Sequence, residues 1–341
     1  MKAPAAIHAG NITYSWIGPG AYTYQIKCTI YSTNTLTDNL CTLNMITFGN
    51  GTSGGFPRIN GSCTGPCSPA CEGVILPGGT IKQNEYVATH TYPGPGTYII
   101  SVDVANRNAG INNIPNSVQQ IMHMSSLLVI PMFDTGKNNS PLFGNHPISS
   151  GCFNNGCFTY NPSATDMDGD SLSYELAMCK GYSVTAPGYS YPNPGAGGTF
   201  SIDPGTGTIN WCNPQYNGDD NVVILIKEWR KNDDGDYYLI GYVERDTQFT
   251  ISTCTGLKEQ DDFEKQITVS PNPVQDYALL TLPSENLSIL LTDVYGKIIV
   301  SENNLTSLSY RLNLENINHG IYFLKITDLN NLSVIKKLIK H

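Results

Sequence analysis

Short runs of alternating apolar and polar residues recur along almost the whole chain, and no stretch holds the 3.6-residue period of an amphipathic helix. Residues 11–16 and 22–31 alternate in this way and predict half-buried antiparallel strands. Residues 89–92 and 97–102 alternate on either side of Pro93-Gly94-Pro95-Gly96, which predicts a hairpin. The unbroken apolar run 222–226 predicts a buried strand. A hairpin around Asn232-Asp233-Asp234-Gly235 follows, then a closing strand over 242–251. Near the end, 288–294, 308–314 and 321–327 are strand-like, separated by turns at Tyr295-Gly296-Lys297 and His319-Gly320. The pattern predicts an all-β protein with two larger modules over 9–135 and 136–254. A polar linker, 255–266, and a small C-terminal β-sandwich, 267–341, complete it.

Composition fits this. The 341 residues include 33 Gly, 21 Pro and 20 Tyr, and only 14% are charged, as turn-rich β proteins require. No apolar run approaches the ~20 residues that span a bilayer as a helix. The net charge of −9 is concentrated in residues 136–254, which carry 6 basic and 13 acidic side chains. That balance argues against nucleic acid, which needs a basic footprint, and leaves a cation as a ligand.

Ten cysteines stand at Cys28, Cys41, Cys63, Cys67, Cys71, Cys152, Cys157, Cys179, Cys212 and Cys254. An even, high count in a β protein of this kind reads as disulfides in an oxidising compartment. Cys28 with Cys41 would close a loop of about 15 residues, worth ~3 kcal/mol. Five cysteines fall in each larger module, so either a bridge crosses between them or each keeps a free thiol. The C-x₃-C-x₃-C run at Cys63, Cys67 and Cys71 lies among Gly and Pro and reads as a pinned loop rather than a metal site. Residues 1–10 lack the apolar stretch of a signal peptide, so the start is expected to be incomplete.

The C-terminal landmarks are Pro271-Asn272-Pro273, then Asp293 with Gly296-Lys297, then Gly320 with Tyr322, then a Lys-rich apolar tail around Lys337. In this order they resemble the type A C-terminal sorting domain of the type IX secretion system. The resemblance implies an outer-membrane export address, often removed after crossing, and the type IX machinery as a partner. The chain would then work outside a Gram-negative cell or on its outer-membrane surface. One departure is His319, where the family more often has a small residue.

Two further resemblances concern the larger modules. His90-Thr91-Tyr92 leading to Gly96-Thr97-Tyr98 resembles the last strands of a PKD-like immunoglobulin-type domain. The run from Asp166 to Tyr174, with Phe200-Ser201-Ile202-Asp203-Pro204 downstream, resembles the cadherin-like, putative immunoglobulin domains of bacterial surface proteins. Together they imply tandem immunoglobulin-like β-sandwiches ahead of the small C-terminal one.

Two groups of residues are candidates for chemistry. Asp166, Asp168 and Asp170 place carboxylates at alternate positions, and calcium takes about six to eight oxygen ligands. The same residues also read as an Asp-Gly turn with solvated carboxylates. Calcium is the one cofactor suggested. Tyr182, Tyr189 and Tyr191 lie in a Pro/Gly-rich loop, where exposed rings would stack on a sugar or dock a protein. The six histidines are scattered, and neither a G-x-S-x-G elbow nor a phosphate-binding loop occurs. The expectation is a non-enzymatic exported protein acting as an adhesive or matrix component. The alternative is a carbohydrate-binding protein of a polysaccharide-handling system. In either case its ligand is a surface glycan or protein that the sequence does not name.

Overall fold

The computed structural model describes residues 6–18, 22–34, 40–132, 138–153, 156–253, 263–328 and 333–341. They fold almost wholly as strands in two compact units, Met1–Thr253 and Cys254–His341.

In the larger unit, side chains two apart enter a common core, as a pleated strand requires. Ile12 and Tyr14 come from Ile7–Trp16, and Tyr24, Ile26, Cys28 and Ile30 from Thr23–Thr33. Ile81–Thr91 adds Tyr86 and Ala88. These three strands pair in that order, antiparallel. Thr42–Thr47, Gly96–Val104 and Met122–Ile130 pair as another antiparallel set and supply Ile46, Ile100, Val102, Met124 and Leu128 to the same core. A second core gathers Phe158, Tyr160, Tyr174, Ile209, Trp211, Ile224 and Phe249. Its strands are Cys157–Tyr160, Ser171–Ala177, Thr199–Ile202, Ile209–Cys212, Gly218–Lys231 and Tyr237–Thr253.

The two modules expected at 9–135 and 136–254 therefore have separate cores but share one large sheet, while Cys157–Tyr160, Ile209–Cys212 and Thr199–Ile202 form a three-stranded sheet of their own. Tyr237–Thr253 runs for 17 residues, about three times the usual strand. It pairs along its length with Gly218–Lys231. On its other edge Gly241–Val243 pair with Ser126–Leu128, and Arg245 and Asp246 with Asn11 and Gly10. Its last six residues, from Gln248, pair in parallel with Ile148–Phe153. One 14-stranded sheet results. The expected boundary at 135 and 136 lies outside the described residues.

The disulfides join Cys41 to Cys67, Cys63 to Cys71, and Cys157 to Cys212, and Cys152 is also disulfide-bonded. The loop of Cys63, Cys67 and Cys71 is thus pinned, as its composition predicts. The expected Cys28–Cys41 bridge does not form. Cys28 points into the first core from mid-strand, and Cys41 is taken by Cys67. Each larger module keeps one buried free thiol, Cys28 and Cys179. Cys254 lies outside the described residues.

The smaller unit is a two-sheet sandwich. Thr268–Ser270, Tyr277–Thr281 and Ser309–Asn313 form one sheet. Ile298–Leu305, Leu287–Asp293, Gly320–Thr327 and Ser333–Lys340 form the other. Leu280, Leu291, Leu312, Leu324, Ile326 and Leu338 fill the space between. The linker expected over 255–266 is shorter than predicted at its far end. Residues 263–266 are a helical turn, and Phe263 packs into this core. Residues 255–262 lie outside the described residues.

Cys157 and Cys212 clamp directly paired positions of neighbouring strands across a separation of 55 residues. Replacing both with alanine is expected to cost about 2–4 kcal/mol. Urea unfolding followed by the fluorescence of the adjacent Trp211 reads this directly.

Candidate functional site

The Asp-rich turn leads into Ser171–Ala177, which pairs with Gly218–Lys231 and so brings residues 166–170 beside Glu228 and Arg230. Asp166 is the keystone of the turn. Its Oδ1 accepts the backbone N–H of Asp168 and of Asp170, both at 2.9 Å. This geometry orients the three carboxylates differently. Asp168 turns away to accept from Asn139, through the backbone N–H at 2.6 Å and Nδ2 at 2.8 Å. Asp170 accepts both Nε and Nη2 of Arg230, at 2.9 and 2.7 Å. Asp166 Oδ2 points inward, buried and without a hydrogen-bond partner.

Glu228 completes the cluster. Its side chain is fully buried; Oε2 accepts from the Tyr14 hydroxyl at 3.0 Å, and Oε1 has no partner. Asp166, Asp170 and Glu228 each present an oxygen within 4.8 Å of the others. Asn138 closes the ring, donating to Tyr14 Oη at 3.1 Å and accepting from Arg230 Nη2 at 3.1 Å. Gly241, paired with Glu228, leaves the room: a Cβ there would lie 2.2 Å from Glu228 Oε2 and from Tyr14 Oη.

Of the expected set Asp166, Asp168 and Asp170, the structure brings Asp166 and Asp170 together with Glu228 and leaves Asp168 outside that cluster. The Asp168 carboxylate is taken by Asn139 and lies 3.7 Å from Arg230 Nη2. Glu228 was missed because it stands 58 residues beyond Asp170 on an otherwise apolar-patterned strand. One signal was available, a glycine inside a strand pattern, which marks a bulge or a close approach.

Burial is the main reason that Glu228 holds its proton well above the usual carboxylate range. The Asp166 and Asp170 charges add to this, and Tyr14 opposes it. Burial also raises Asp166. Two facing carboxylate oxygens without donors have two physical resolutions, a shared proton or a cation. The calcium expected from the sequence would be the second. The donors are all oxygen, the ligand type calcium takes, although both Asp170 oxygens already accept from Arg230. Asp166, Asp170 and Glu228 are the residues that would hold it.

Of the tyrosine candidates, Tyr189 and Tyr191 meet edge-on, with ring centroids 5.8 Å apart. Tyr182 is 68% exposed. Tyr189 packs near Cys179 and Ile114, and its hydroxyl reaches the Asn221 carbonyl. Tyr191 stacks with Phe200, which meets Trp211 edge-on. His90 stacks on Phe48 at 4.2 Å and bonds Asn50, so it is a packed strand residue.

The C-terminal landmarks interlock. Asn272 donates to the Lys337 carbonyl at 2.7 Å and accepts from the Ile339 N–H at 3.0 Å, so Pro271-Asn272-Pro273 is tied to the tail strand. Asp293 Oδ1 accepts the N–H groups of Tyr295 and Lys297, with Gly296 at φ +80° between them. Tyr322 donates its hydroxyl to the Asn318 carbonyl at 2.8 Å, locking the corner that enters Gly320–Thr327.

Residues 268–341 match the family described as the secretion system C-terminal sorting domain. The C-terminal unit is a sorting domain. The chain is therefore a type IX secretion substrate, carried to the cell surface or the extracellular space. Among the described residues, no helix is long and apolar enough to cross a membrane. No curated protein matches the chain. Among solved structures, the chain is similar to PorZ, a bacterial surface component of the type IX secretion system of Porphyromonas gingivalis. The identity is 13% and the TM-score 0.26, over 96% of this chain and 57% of that one. It is also similar to the BSP domain of a biofilm-associated protein, with 8% identity and a TM-score of 0.20, over 100% of this chain and 83% of that one. Neither likeness supports an inference about what the chain does.

The raised carboxylates set a pH dependence. Without metal, stability from the protonated Glu228 is fully present below the unfolded-state value of about 4 and is lost as pH rises through the higher folded-state value. In EDTA, the melting temperature should therefore fall from acid toward neutral pH. Glu228→Gln should flatten that fall, and scanning calorimetry across pH 4–8 checks it.

Proposed function

We propose that residues 6–253 are a non-catalytic display body that acts outside the cell as an adhesive or matrix component. The observation that supports this most is the sorting domain, which sends the body to a surface where attachment is the work available. The disulfides support it too, since crosslinked loops suit an oxidising exterior. The candidate cluster has a structural role here. Asp166, Asp170 and Glu228 all come from the second module, and Tyr14 of the first donates to Glu228, so a divalent cation held there would act on the seam through that hydrogen bond. Calcium at exterior concentrations would replace the shared proton and stiffen the seam.

Three measurements test this reading. Deleting residues 268–341 should abolish appearance at the surface, by immunoblot of fractionated cells; undiminished export would overturn the export assignment. Loss of the whole chain should reduce cell attachment to a solid support, and added purified protein should restore it. Millimolar calcium at pH 7.5 should raise the melting temperature over EDTA in the intact chain and leave Glu228→Gln unmoved. Equal melting in both buffers means that the cluster keeps a proton and takes no metal.

A further inference from the structure

A second polar site lies on the outer face of the first sheet, away from the carboxylate cluster. Strand register builds it. Arg245 pairs with Asn11, Asn11 with Thr29, and Thr29 with Glu85, so one row of side chains crosses four strands on one face. The flanking rows on that face are Thr13 with Lys27, and Tyr31 with Gln83. The segment 142–146 lies over this face and closes a groove of about 340 Å³ lined by both. That volume lies at the lower end of small-molecule sites.

The groove holds an unanswered positive charge. Arg245 is 1% exposed, so its guanidinium is nearly cut off from water. It lies 4.1 Å over the Phe143 ring, and Nη2 donates to the Asn145 carbonyl. Nε and Nη1 are buried without a hydrogen-bond partner. The one carboxylate in the lining, Glu85, is already engaged by Lys27 at 3.0 Å and by Gln83 at 3.0 Å. A buried guanidinium without a counter-ion is costly, and an arriving carboxylate relieves that cost with charge-assisted hydrogen bonds. Burial is also the main influence lowering Arg245's affinity for its proton, and the groups that counter it are tyrosines rather than acids.

The rest of the lining selects the kind of acid. Asn11, Thr13, Thr29 and Gln83 present amides and hydroxyls along a flat sheet face, the complement of a ring bearing hydroxyls. Phe143 adds aromatic surface on which the apolar face of a sugar packs, while Tyr31 is buried against His146. We infer that this groove binds a uronic acid residue of an acidic glycan, its carboxylate on Arg245 and its hydroxyls on the polar sheet face. The display reading is needed only to explain how such a glycan is met, and binding by purified protein is independent of export.

The test uses the purified full chain, titrated with di-galacturonate by calorimetry and by saturation-transfer NMR. Saturable binding is expected, at least tenfold tighter than for the neutral digalactose and for acetate. Arg245→Met should lose at least tenfold in affinity while melting no lower than the parent, because it removes an uncompensated buried charge. Thr13→Val with Gln83→Ala keeps the charge and should weaken di-galacturonate but not acetate. No saturable binding by the folded parent overturns the proposal. So does equal affinity for acetate or the neutral sugar, or an Arg245→Met protein that binds like the parent.

Discussion

A single strand, Tyr237–Thr253, holds the larger unit together. Backbone groups removed from water must find partners, and this strand finds them on both edges and from both modules. Its C-terminal half sends Phe249 and Ile251 into the second core, while its middle completes the sheet of the first. Separating the modules would leave rows of buried N–H and C=O groups unpaired on Met122–Ile130 and Ile7–Trp16. The two cores are therefore coupled through hydrogen bonds rather than through shared apolar packing.

That coupling explains where the polar chemistry collects. Arg107 with Asp246, Glu228 with Tyr14, and Arg245 over Phe143 all lie along or beside this strand. A sheet serving two cores has stretches that belong fully to neither, and polar side chains occupy them. Arg107 and Asp246 are almost fully buried and pair at 2.7 Å through Nη2, so the Arg107 charge has a counter-ion although its Nε and Nη1 have no hydrogen-bond partner. Glu228, Asp166 and Arg245 are left with atoms that the protein does not satisfy. In a native fold such orphans call for a proton, an ion or a ligand.

The smaller unit shows how a short motif set gains meaning. Asn272 has no local reason to follow Pro271, yet its amide bonds both sides of the backbone at Lys337 and Ile339, which join the first turn to the last strand. Tyr322 and Tyr98 repeat one device. Each follows a Gly by two positions and donates its hydroxyl to a carbonyl four residues upstream, at 2.8 Å. The Gly-x-Tyr spelling in both units therefore reflects the same corner, made where a strand enters a sandwich.

Strand identity, the all-β class, the pinned cysteine loop and the C-terminal export address were legible in the sequence, because each rests on residues close together in the chain. Alternation dictates which side of Thr23–Thr33 is apolar, whatever surrounds it. Tertiary structure alone decided the rest. Cys41 took Cys67 rather than Cys28, because Cys28 faces a core that the neighbouring strands create. Asp168 was drawn to Asn139, and Glu228 was brought to Asp166 across a strand pair that no local pattern announces. Arg245 sits unanswered beneath Phe143 because three strands and a loop converge there. Register and strand order arise from the whole sheet at once, and they govern which distant side chains share a face.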